Sequence, residues 1–351
     1  MALYRELPAA AQTAYAELQE LVQVAEALRS PASLTGTVGW KTIKGHRYAY
    51  WQFKEIDGRK REYYLGPDGP QIAAIEQARD RPAPALEAVA RQARAAVAHG
   101  NLPTPAKPFR IVKRFADYQF FRAGGLLVGT HAFLAMGNQL GVAWGEGTRT
   151  LDLDFAHAGP GGDVAVALPA DLKTDMPDAL KSLEMGFLPA LGGSRGFANQ
   201  YVSEREPDLR IDFLTVPRRK RDDVHAPDLG VALVPLKFLD YLLEQPGQAV
   251  LLDAADACLV NLPDPARYGL HKLLVAAERG ARHPKYQKDI GQALALIDWH
   301  LERAPALLLD AWGDLAGRGT GWTKRARQSL AAAPARQREL VQRFQRAAGL
   351  K

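Results

Sequence analysis

The chain has 351 residues, of which 47% are hydrophobic and 24% are charged, so it is long enough for two or three domains with their own cores. No apolar run approaches the ~20 residues that a membrane-spanning helix needs, and the first residues lack the apolar core of a secretion signal. Cys258 is the only cysteine, which excludes an intrachain disulfide, so we expect a reducing, cytoplasmic environment.

The net charge is +6, and its distribution along the chain is uneven. Residues 40–65 carry seven Lys or Arg against three acids, and residues 318–351 carry nine against one. Both clusters are compatible with binding to a polyanion, although solvated basic faces are common on proteins.

The N-terminal residues predict helices on either side of a strand region. Apolar residues repeat every three or four positions over 9–29, which indicates a helix that ends at Ser30-Pro31. Residues 40–69 read as strands with a hairpin turn at Asp57-Gly58. Two helices follow over 71–79 and 85–99, and the three prolines of 100–109 predict a linker, so we place a domain boundary near residue 105.

Aromatic and basic residues alternate along this strand region, with Arg59, Lys60 and Arg61 at its centre. Aromatic faces stack bases and basic side chains neutralise phosphates, so contact between Arg59, Lys60, Arg61 and nucleic acid is one prediction. Packing is the alternative, because aromatic residues favour strands and one face of a hairpin must be buried.

The strongest functional pattern lies between residues 121 and 216. An apolar strand with glycines leads into a helix that opens at Gly129-Thr130, and the N-terminus of a helix presents free N–H groups to a phosphate. The pair Gly124-Gly125 is the alternative phosphate motif. Gly129-Thr130 is preferred because a helical pattern follows it directly.

Three acidic residues stand in apolar strands of the same region. Asp152 and Asp154 are two residues apart, so on a strand both carboxylates leave the same face. Asp212 lies in a second strand over 209–216. If the two strands are neighbours, the carboxylates converge as Mg²⁺, or alternatively Mn²⁺, prefers. Purely structural acids are the alternative, but an unpaired carboxylate is costly to bury, which favours metal binding.

This order of elements resembles the nucleotidyltransferase superfamily with the DNA polymerase β-like catalytic fold, and within it the bacterial stand-alone, abortive-infection toxin type. Val128-Gly129-Thr130 matches the phosphate motif of the family, and Asp152, Asp154 and Asp212 match its metal carboxylates. One departure is the spacing, because twenty-one residues separate Thr130 from Asp152. Residues 138–149 would then be an insertion or an extension of the helix.

The resemblance implies an α+β fold with a mixed sheet in a catalytic domain at 106–220. An N-terminal helix and β-hairpin region at 1–105 would precede it, and a mostly helical domain at 221–351 would follow. The implied reaction transfers a nucleoside monophosphate from an NTP, for example ATP, to a hydroxyl of RNA, tRNA or protein, with release of pyrophosphate. The alternative is a catalytically inactive nucleic-acid-binding or toxin–antitoxin interaction protein on the same fold.

Charged residues in the C-terminal half extend the resemblance. Lys272, Arg279 and the pair Lys288-Asp289 on successive helices resemble the helical part of the toxin-type enzymes. This implies triphosphate contact by Lys272 and Lys288, with Asp289 near the site. Exposed charges on amphipathic helices are the alternative.

Two further segments carry predictions. Arg218 and Arg219 belong to a run of four positive charges after the strand of Asp212, where they would steer triphosphate or RNA, or form a solvated loop. Residues 234–247 are predicted to form a helix that ends at Pro246-Gly247, followed by two short strands, two long helices and a basic helical tail.

Overall fold

The structure is a computed structural model that describes residues 3–27, 37–54, 60–73, 76, 84–145, 150–159, 174–190, 197–217 and 224–350. It shows a mixed α+β protein, as the family resemblance implies. No helix within these ranges is both long and apolar enough to cross a lipid bilayer.

The N-terminal part contains helices and a three-stranded antiparallel sheet. Its elements are β1 (Tyr4–Glu6), α1 (Ala9–Ala27), β2 (Thr37–Ile43), β3 (His46–Lys54), β4 (Lys60–Pro67) and α2 (Pro84–Ala98). The predicted helices at 9–29 and 85–99 are confirmed in α1 and α2. Strands β3 and β4 pair as the predicted hairpin requires, whereas its turn at Asp57-Gly58 lies outside the described residues.

The central part contains a mixed sheet of seven described strands. Its elements are α3 (Ala106–Asp117), β5 (Leu126–Val128), α4 (Gly129–Gln139), β6 (Val142–Trp144), β7 (Leu153–Ala156), α5 (Met176–Ser182), β8 (Phe187–Pro189), β9 (Gln200–Ser203), β10 (Arg210–Thr215), β11 (Val224–Ala226) and β12 (Val231–Pro235). The main order is β11-β12-β10-β7-β5, with β9 pairing to β10 and β8, while β6 pairs separately with β1. Strand β10 is parallel to β7 and β12, and β5 is antiparallel to β7.

The sequence of residues 178–188 predicts a helix over that whole range, and the helix in the structure is shorter. Asp175 accepts a hydrogen bond from the backbone N–H of Asp178 and so caps α5, which ends at Ser182. Glu184 and Gly186 then adopt positive φ angles of 55° and 68°, which an α-helix cannot accommodate. The chain continues into strand β8 instead.

The helix predicted over 234–247 is wrong. Its first residues belong to β12, which pairs with β10 and β11, and only Leu239–Leu242 form a short helix, α6. Phe238 and Gln245 have positive φ angles of 67° and 54° on either side of α6. Sheet hydrogen bonds to distant residues therefore override a helical periodicity that was only local.

The C-terminal part begins with the predicted pair of short strands, which form a hairpin of β13 (Gly247–Leu252) and β14 (Ala257–Leu262). Helices follow as α7 (Pro265–Arg279), α8 (Tyr286–Arg303), α9 (Pro305–Gly317), α10 (Thr320–Ala331) and α11 (Arg338–Ala347). Asp264 caps α7 by accepting a hydrogen bond from the backbone N–H of Arg267, as its sequence predicts. Helices α7 and α8 pack along each other.

A cluster of phenylalanine rings fills the core beneath the central sheet. Phe115 of α3 lies 4.6 Å from Phe155 of β7 and 5.8 Å from Phe213 of β10, measured between ring centroids, and all three rings are fully buried. Phe155 and Phe213 follow Asp154 and Asp212 directly. Because side chains alternate along a strand, the two carboxylates lie on the opposite face of the sheet from these rings.

The buried cluster around these rings extends from Phe109 to Leu296 and includes residues on both sides of residue 220. The domain boundaries near 105 and 220 stay predictions.

Candidate active site

The strands that carry the acidic residues are neighbours, as the convergence of the carboxylates requires. Strands β7 and β10 are parallel, and Asp154 stands directly opposite Asp212. Strand β5 pairs with the other edge of β7 and sets Val128 opposite Asp154. Asp152 precedes β7 by one residue. One end of the sheet therefore holds both acidic strands and the start of α4.

Gly129 lies against one of these carboxylates. Its φ is +65°, and a Cβ atom built on it would lie 2.0 Å from Oδ2 of Asp154. Any other residue would displace the carboxylate, so glycine is required here for two reasons, the backbone conformation and the close approach. Gly125, from the alternative motif, faces the ring of Phe120 instead, at 2.2 Å from a built Cβ.

Helix α4 begins at Gly129, and Val128 at its N-cap is extended and makes no side-chain cap with any described residue. The first amides of the helix are thus available for an anion. Tyr268 of α7 donates a hydrogen bond to the carbonyl oxygen of Gly129 at 2.6 Å, and Nε2 of Gln292 lies 3.4 Å from Oγ1 of Thr130. The C-terminal helices therefore hold the Gly129-Thr130 turn in place.

Burial and neighbouring negative charges make two of the carboxylates harder to ionise. Burial raises the pKa of Asp154, and the negative charge of Asp152 raises it further, against the lowering effect of Lys285 and Lys272. Burial also raises the pKa of Asp212, with Asp154 and Asp152 adding to it, although Nε2 of Gln200 donates a hydrogen bond to Oδ1 at 2.5 Å. The charged forms of Asp154 and Asp212 are therefore disfavoured in the folded protein.

Lysines of α8 and the preceding loop face this negative charge. Nζ of Lys285 lies 2.7 Å from Oδ2 of Asp152. Burial lowers the pKa of Lys288, and the positive charges of Lys272 and Lys285 lower it further. Burial lowers the pKa of His131, next to Thr130, to about 4, and Lys288 contributes to this shift. Lys285 therefore contacts one of the carboxylates directly, and Lys288 acts on the first turn of α4 through its charge.

Lys272 and Asp289 form a buried ion pair rather than exposed helix charges. Nζ of Lys272 lies 2.9 Å from Oδ1 of Asp289, and Arg279 binds the other carboxylate oxygen. Asp289 is fully buried and Lys272 is 8% exposed. Burial alone would raise the pKa of Asp289, but the charges of Lys272 and Arg279 outweigh it and lower the pKa.

A family model described as Nucleotidyltransferase matches residues 107–317, which is more than half of the chain. The chain belongs to this nucleotidyltransferase family. The matched range begins in α3, ends with α9 and includes every residue of the site described above. The chain is therefore an enzyme that transfers nucleotidyl groups.

Other comparisons add little. The crystal structure of an antigenic nucleotidyltransferase-like protein from Paracoccidioides brasiliensis is similar to this chain at 16% sequence identity and a TM-score of 0.29, covering 64% of this chain and 95% of that one. A search of curated protein sequences finds no match.

The nucleotidyltransferase does not present a ready metal cage. Within the described ranges, no three His, Cys, Asp or Glu side chains are grouped closely enough to hold an ion as they stand. Two of the carboxylates already have partners, since Asp152 is bound to Lys285 and Asp212 to Gln200.

The side chains that are predicted to contact nucleic acid lie outside the part of the nucleotidyltransferase that the structure describes. Arg59, Arg218 and Arg219 lie outside the described residues, and of Lys60 and Arg61 only the backbone in β4 is described. Three further residues contact the site without a sequence pattern that predicts them, namely Lys285, Gln200 and Tyr268. Each is an ordinary polar residue in its local sequence, and only its position in the fold brings it to the site.

Proposed function

We propose that this nucleotidyltransferase transfers a nucleoside monophosphate from an NTP to an acceptor hydroxyl, with Mg²⁺ or Mn²⁺ held by Asp152, Asp154 and Asp212. The observation that carries the proposal is the register of β7 and β10, which sets Asp154 opposite Asp212 beside the helix start at Gly129. The polymerase β-like fold and the toxin-type subclass are part of the same proposal.

The donor set suits a divalent cation. Carboxylate oxygens are the ligands that Mg²⁺ prefers, and burial with mutual repulsion makes the charged forms of Asp154 and Asp212 unfavourable without a cation. Binding requires that Asp152 exchange Lys285 for the ion. When bound, the metal supplies positive charge that stabilises the entering and leaving oxygens of phosphoryl transfer.

Residues of the chain itself would bind and orient the triphosphate. The amides at the start of α4 and the hydroxyl of Thr130 are placed to hold phosphate oxygens. Lys288 and Lys285 would neutralise the triphosphate, and Lys285 is released for this role when Asp152 exchanges its partner. Asp289 holds Lys272 by one oxygen, which leaves the ammonium group two further donors for phosphate.

Asp212 is the candidate general base. As a carboxylate on the acceptor side of the site, it would accept the proton from the acceptor hydroxyl. The hydroxyl oxygen would form a bond to the α-phosphorus, and the bond from that phosphorus to the oxygen that bridges the α- and β-phosphates would break. Pyrophosphate is then the leaving group, and the acceptor is RNA, such as tRNA, or a protein.

The experiment is to incubate the purified enzyme with each α-labelled NTP, Mg²⁺ and either total RNA or cell lysate. Label should appear in a macromolecule, with stoichiometric pyrophosphate, and Asp154→Asn should abolish both. Labelling that persists in Asp154→Asn, or that does not depend on a divalent cation, would contradict the proposal.

A further inference from the structure

We infer that Tyr268 is a positioning residue for two groups that bind the triphosphate, namely the Thr130 amide at the start of α4 and the ammonium group of Lys272. Its hydroxyl acts on the amide through the neighbouring peptide group, and its ring acts on the lysine. The inference rests on the proposed function, because the triphosphate is that of the NTP from which the nucleotidyl group is transferred.

Tyr268 reaches the start of α4 from a buried position in α7. It is 1% exposed, and its hydroxyl donates a hydrogen bond to the carbonyl oxygen of Gly129 at 2.6 Å. A buried phenol needs such a partner, because an unpaired polar group in the interior is costly. Burial raises the pKa of Tyr268, and the charges of Asp289 and Asp154 raise it further, so the hydroxyl keeps its proton and acts as a donor.

This hydrogen bond determines where the Thr130 amide points. The carbonyl of Gly129 and the N–H of Thr130 belong to one planar peptide group, and in a trans peptide the two bonds point in opposite directions. Among the described residues no peptide bond is cis. Gly129 has a φ of +65°, and a glycine leaves its conformation more readily than other residues do. A contact from α7 therefore keeps the Thr130 N–H in one direction, available to an anion at the helix start.

A contact from α8 acts on the side chain of the same threonine. Nε2 of Gln292 lies 3.4 Å from Oγ1 of Thr130, and Oε1 of Gln292 lies 3.5 Å from the hydroxyl oxygen of Tyr268. Gln292 is fully buried. Because an amide nitrogen only donates, the Thr130 hydroxyl accepts in this contact, and its own proton stays available for a phosphate oxygen.

The ring of Tyr268 contacts the second group. Lys272 follows Tyr268 by one helical turn of α7, and its Nζ lies 5.3 Å from the centre of the ring, a distance at which the face of an aromatic ring attracts a cation. The ring is also stacked on Phe133 of α4, with centroids 6.5 Å apart and an angle of 16° between the planes. One side chain is therefore in contact with the helix start and with the lysine.

The test compares Tyr268→Phe, which removes only the hydroxyl, with Tyr241→Phe as the matched control. Tyr241 is also fully buried, and its hydroxyl donates to a backbone carbonyl, that of Ala311 at 2.9 Å. Isothermal titration calorimetry measures the binding of a non-hydrolysable NTP analogue and of inorganic tripolyphosphate. Tyr268→Phe should weaken both by about two- to tenfold, the effect of losing one hydrogen bond. The KM for NTP should rise by the same factor, while kcat at saturating NTP stays close to wild type.

The control separates positioning from folding. Both substitutions remove one buried hydrogen bond and should lower the melting temperature to a similar extent, but Tyr241→Phe should keep the wild-type affinity and KM. Gln292→Met should show the same loss of affinity on a smaller scale, and it decides the question if Tyr268→Phe does not fold. Wild-type affinity in a folded Tyr268→Phe, or equal losses of affinity in Tyr268→Phe and Tyr241→Phe, would overturn the inference.

A third variant tests the role of the ring. Tyr268→Leu removes the ring as well as the hydroxyl, so it should bind tripolyphosphate more weakly than Tyr268→Phe at a temperature where both are folded. Equal affinity of these two variants would overturn the part of the inference that concerns Lys272.

The outcomes are distinguishable from a failure of the proposed function. Wild type that binds tripolyphosphate but transfers nothing would reject the proposed function, and the comparison of Tyr268→Phe with Tyr241→Phe would still decide the role of Tyr268. Transfer by wild type together with an unchanged KM in Tyr268→Phe would reject the inference alone. Wild type that binds neither tripolyphosphate nor the NTP analogue would overturn both.

Discussion

Nζ of Lys285 lies 2.7 Å from Oδ2 of Asp152, so the residue just before α8 is bound to one of the three carboxylates at the end of the sheet. The two groups are 133 positions apart in the chain. The lysine is 40% exposed and the carboxylate 25% exposed, so the pair lies at the edge of the site and not in the core. Its position suggests that Lys285 serves the substrate more than the stability of the fold.

Lys285→Met should raise the KM for NTP by roughly ten- to a hundredfold, the effect of losing a charged hydrogen bond to phosphate. Its melting temperature should change little, because a partly exposed ion pair contributes about 0–1 kcal/mol. Lys285→Arg is the control and should keep most of the NTP affinity. A lowered melting temperature with unchanged KM would show that the ion pair is structural.

Asp154→Asn should abolish transfer while the melting temperature stays equal to wild type or rises. Burial raises the pKa of Asp154, which means that its charged form is disfavoured in the folded protein without metal. The substitution therefore removes an unfavourable buried charge and, at the same time, a proposed metal ligand. Pyrophosphate release and thermal unfolding without divalent cations measure the two effects. Substantial turnover in saturating Mg²⁺ would contradict the assignment.

Asp212→Asn should lower kcat more than it weakens NTP binding, because the proposed role of this carboxylate is on the acceptor side. Gln200→Ala, which removes the hydrogen bond to Oδ1, should have a smaller effect in the same direction. Steady-state kinetics with varied NTP distinguishes the parameters. A large increase in KM with unchanged kcat would place Asp212 with the NTP instead.

Asp289→Asn should destabilise the fold by about 3–5 kcal/mol, because it leaves Lys272 and Arg279 beside a neutral, buried group. The double variant Lys272→Met with Asp289→Leu should recover part of that loss, since it removes both charges of the buried pair. Urea unfolding of the single and double variants measures the coupling. Equal stability of Asp289→Asn and wild type would mean that water solvates the charges of Lys272 and Arg279 in the variant.

Stability should fall as the pH drops below about 6.5. Burial lowers the pKa of His271 to about 3 from 6.5, with the charge of Lys272 acting in the same direction. Between these values the unfolded chain binds a proton that the folded chain does not, so stability is fully present above 6.5 and is lost as the pH falls toward 3.

Wild type should take up as much as one proton at His271 when it unfolds between these pH values, and His271→Phe should not. The free energy of unfolding of the variant should therefore depend less steeply on pH, by up to about 1.4 kcal/mol per pH unit. Urea unfolding at neutral pH and near pH 5 is the measurement, with Tyr64→Phe as a control that leaves this histidine in place. The same pH dependence in wild type and His271→Phe would show that other groups carry it.

Several features of this site could be predicted from the sequence because their signals are local. Alternation of Asp154 with apolar residues is a period of two, which predicts a strand, and β7 includes Asp154 but begins one residue after Asp152. Gly129-Thr130 before an apolar run indicates a helix start, and Asp264-Pro265 indicates another, and both are confirmed. These conformations depend on steric and capping preferences of the residues concerned.

Other features depend on the tertiary structure, because they arise from contacts between distant segments. The register of Asp154 against Asp212 requires a parallel pairing of two strands, which a sequence pattern of period two leaves open. Val234 and Pro235, the first residues of the predicted helix, lie in β12 because β10 and β11 supply the hydrogen bonds of that strand. Lys285 reaches Asp152 only because α7 and α8 pack over that end of the sheet. The same packing buries Lys272 with Asp289. Neither result can be read from the local sequence, because the free energy of burial depends on which residues cover a side chain.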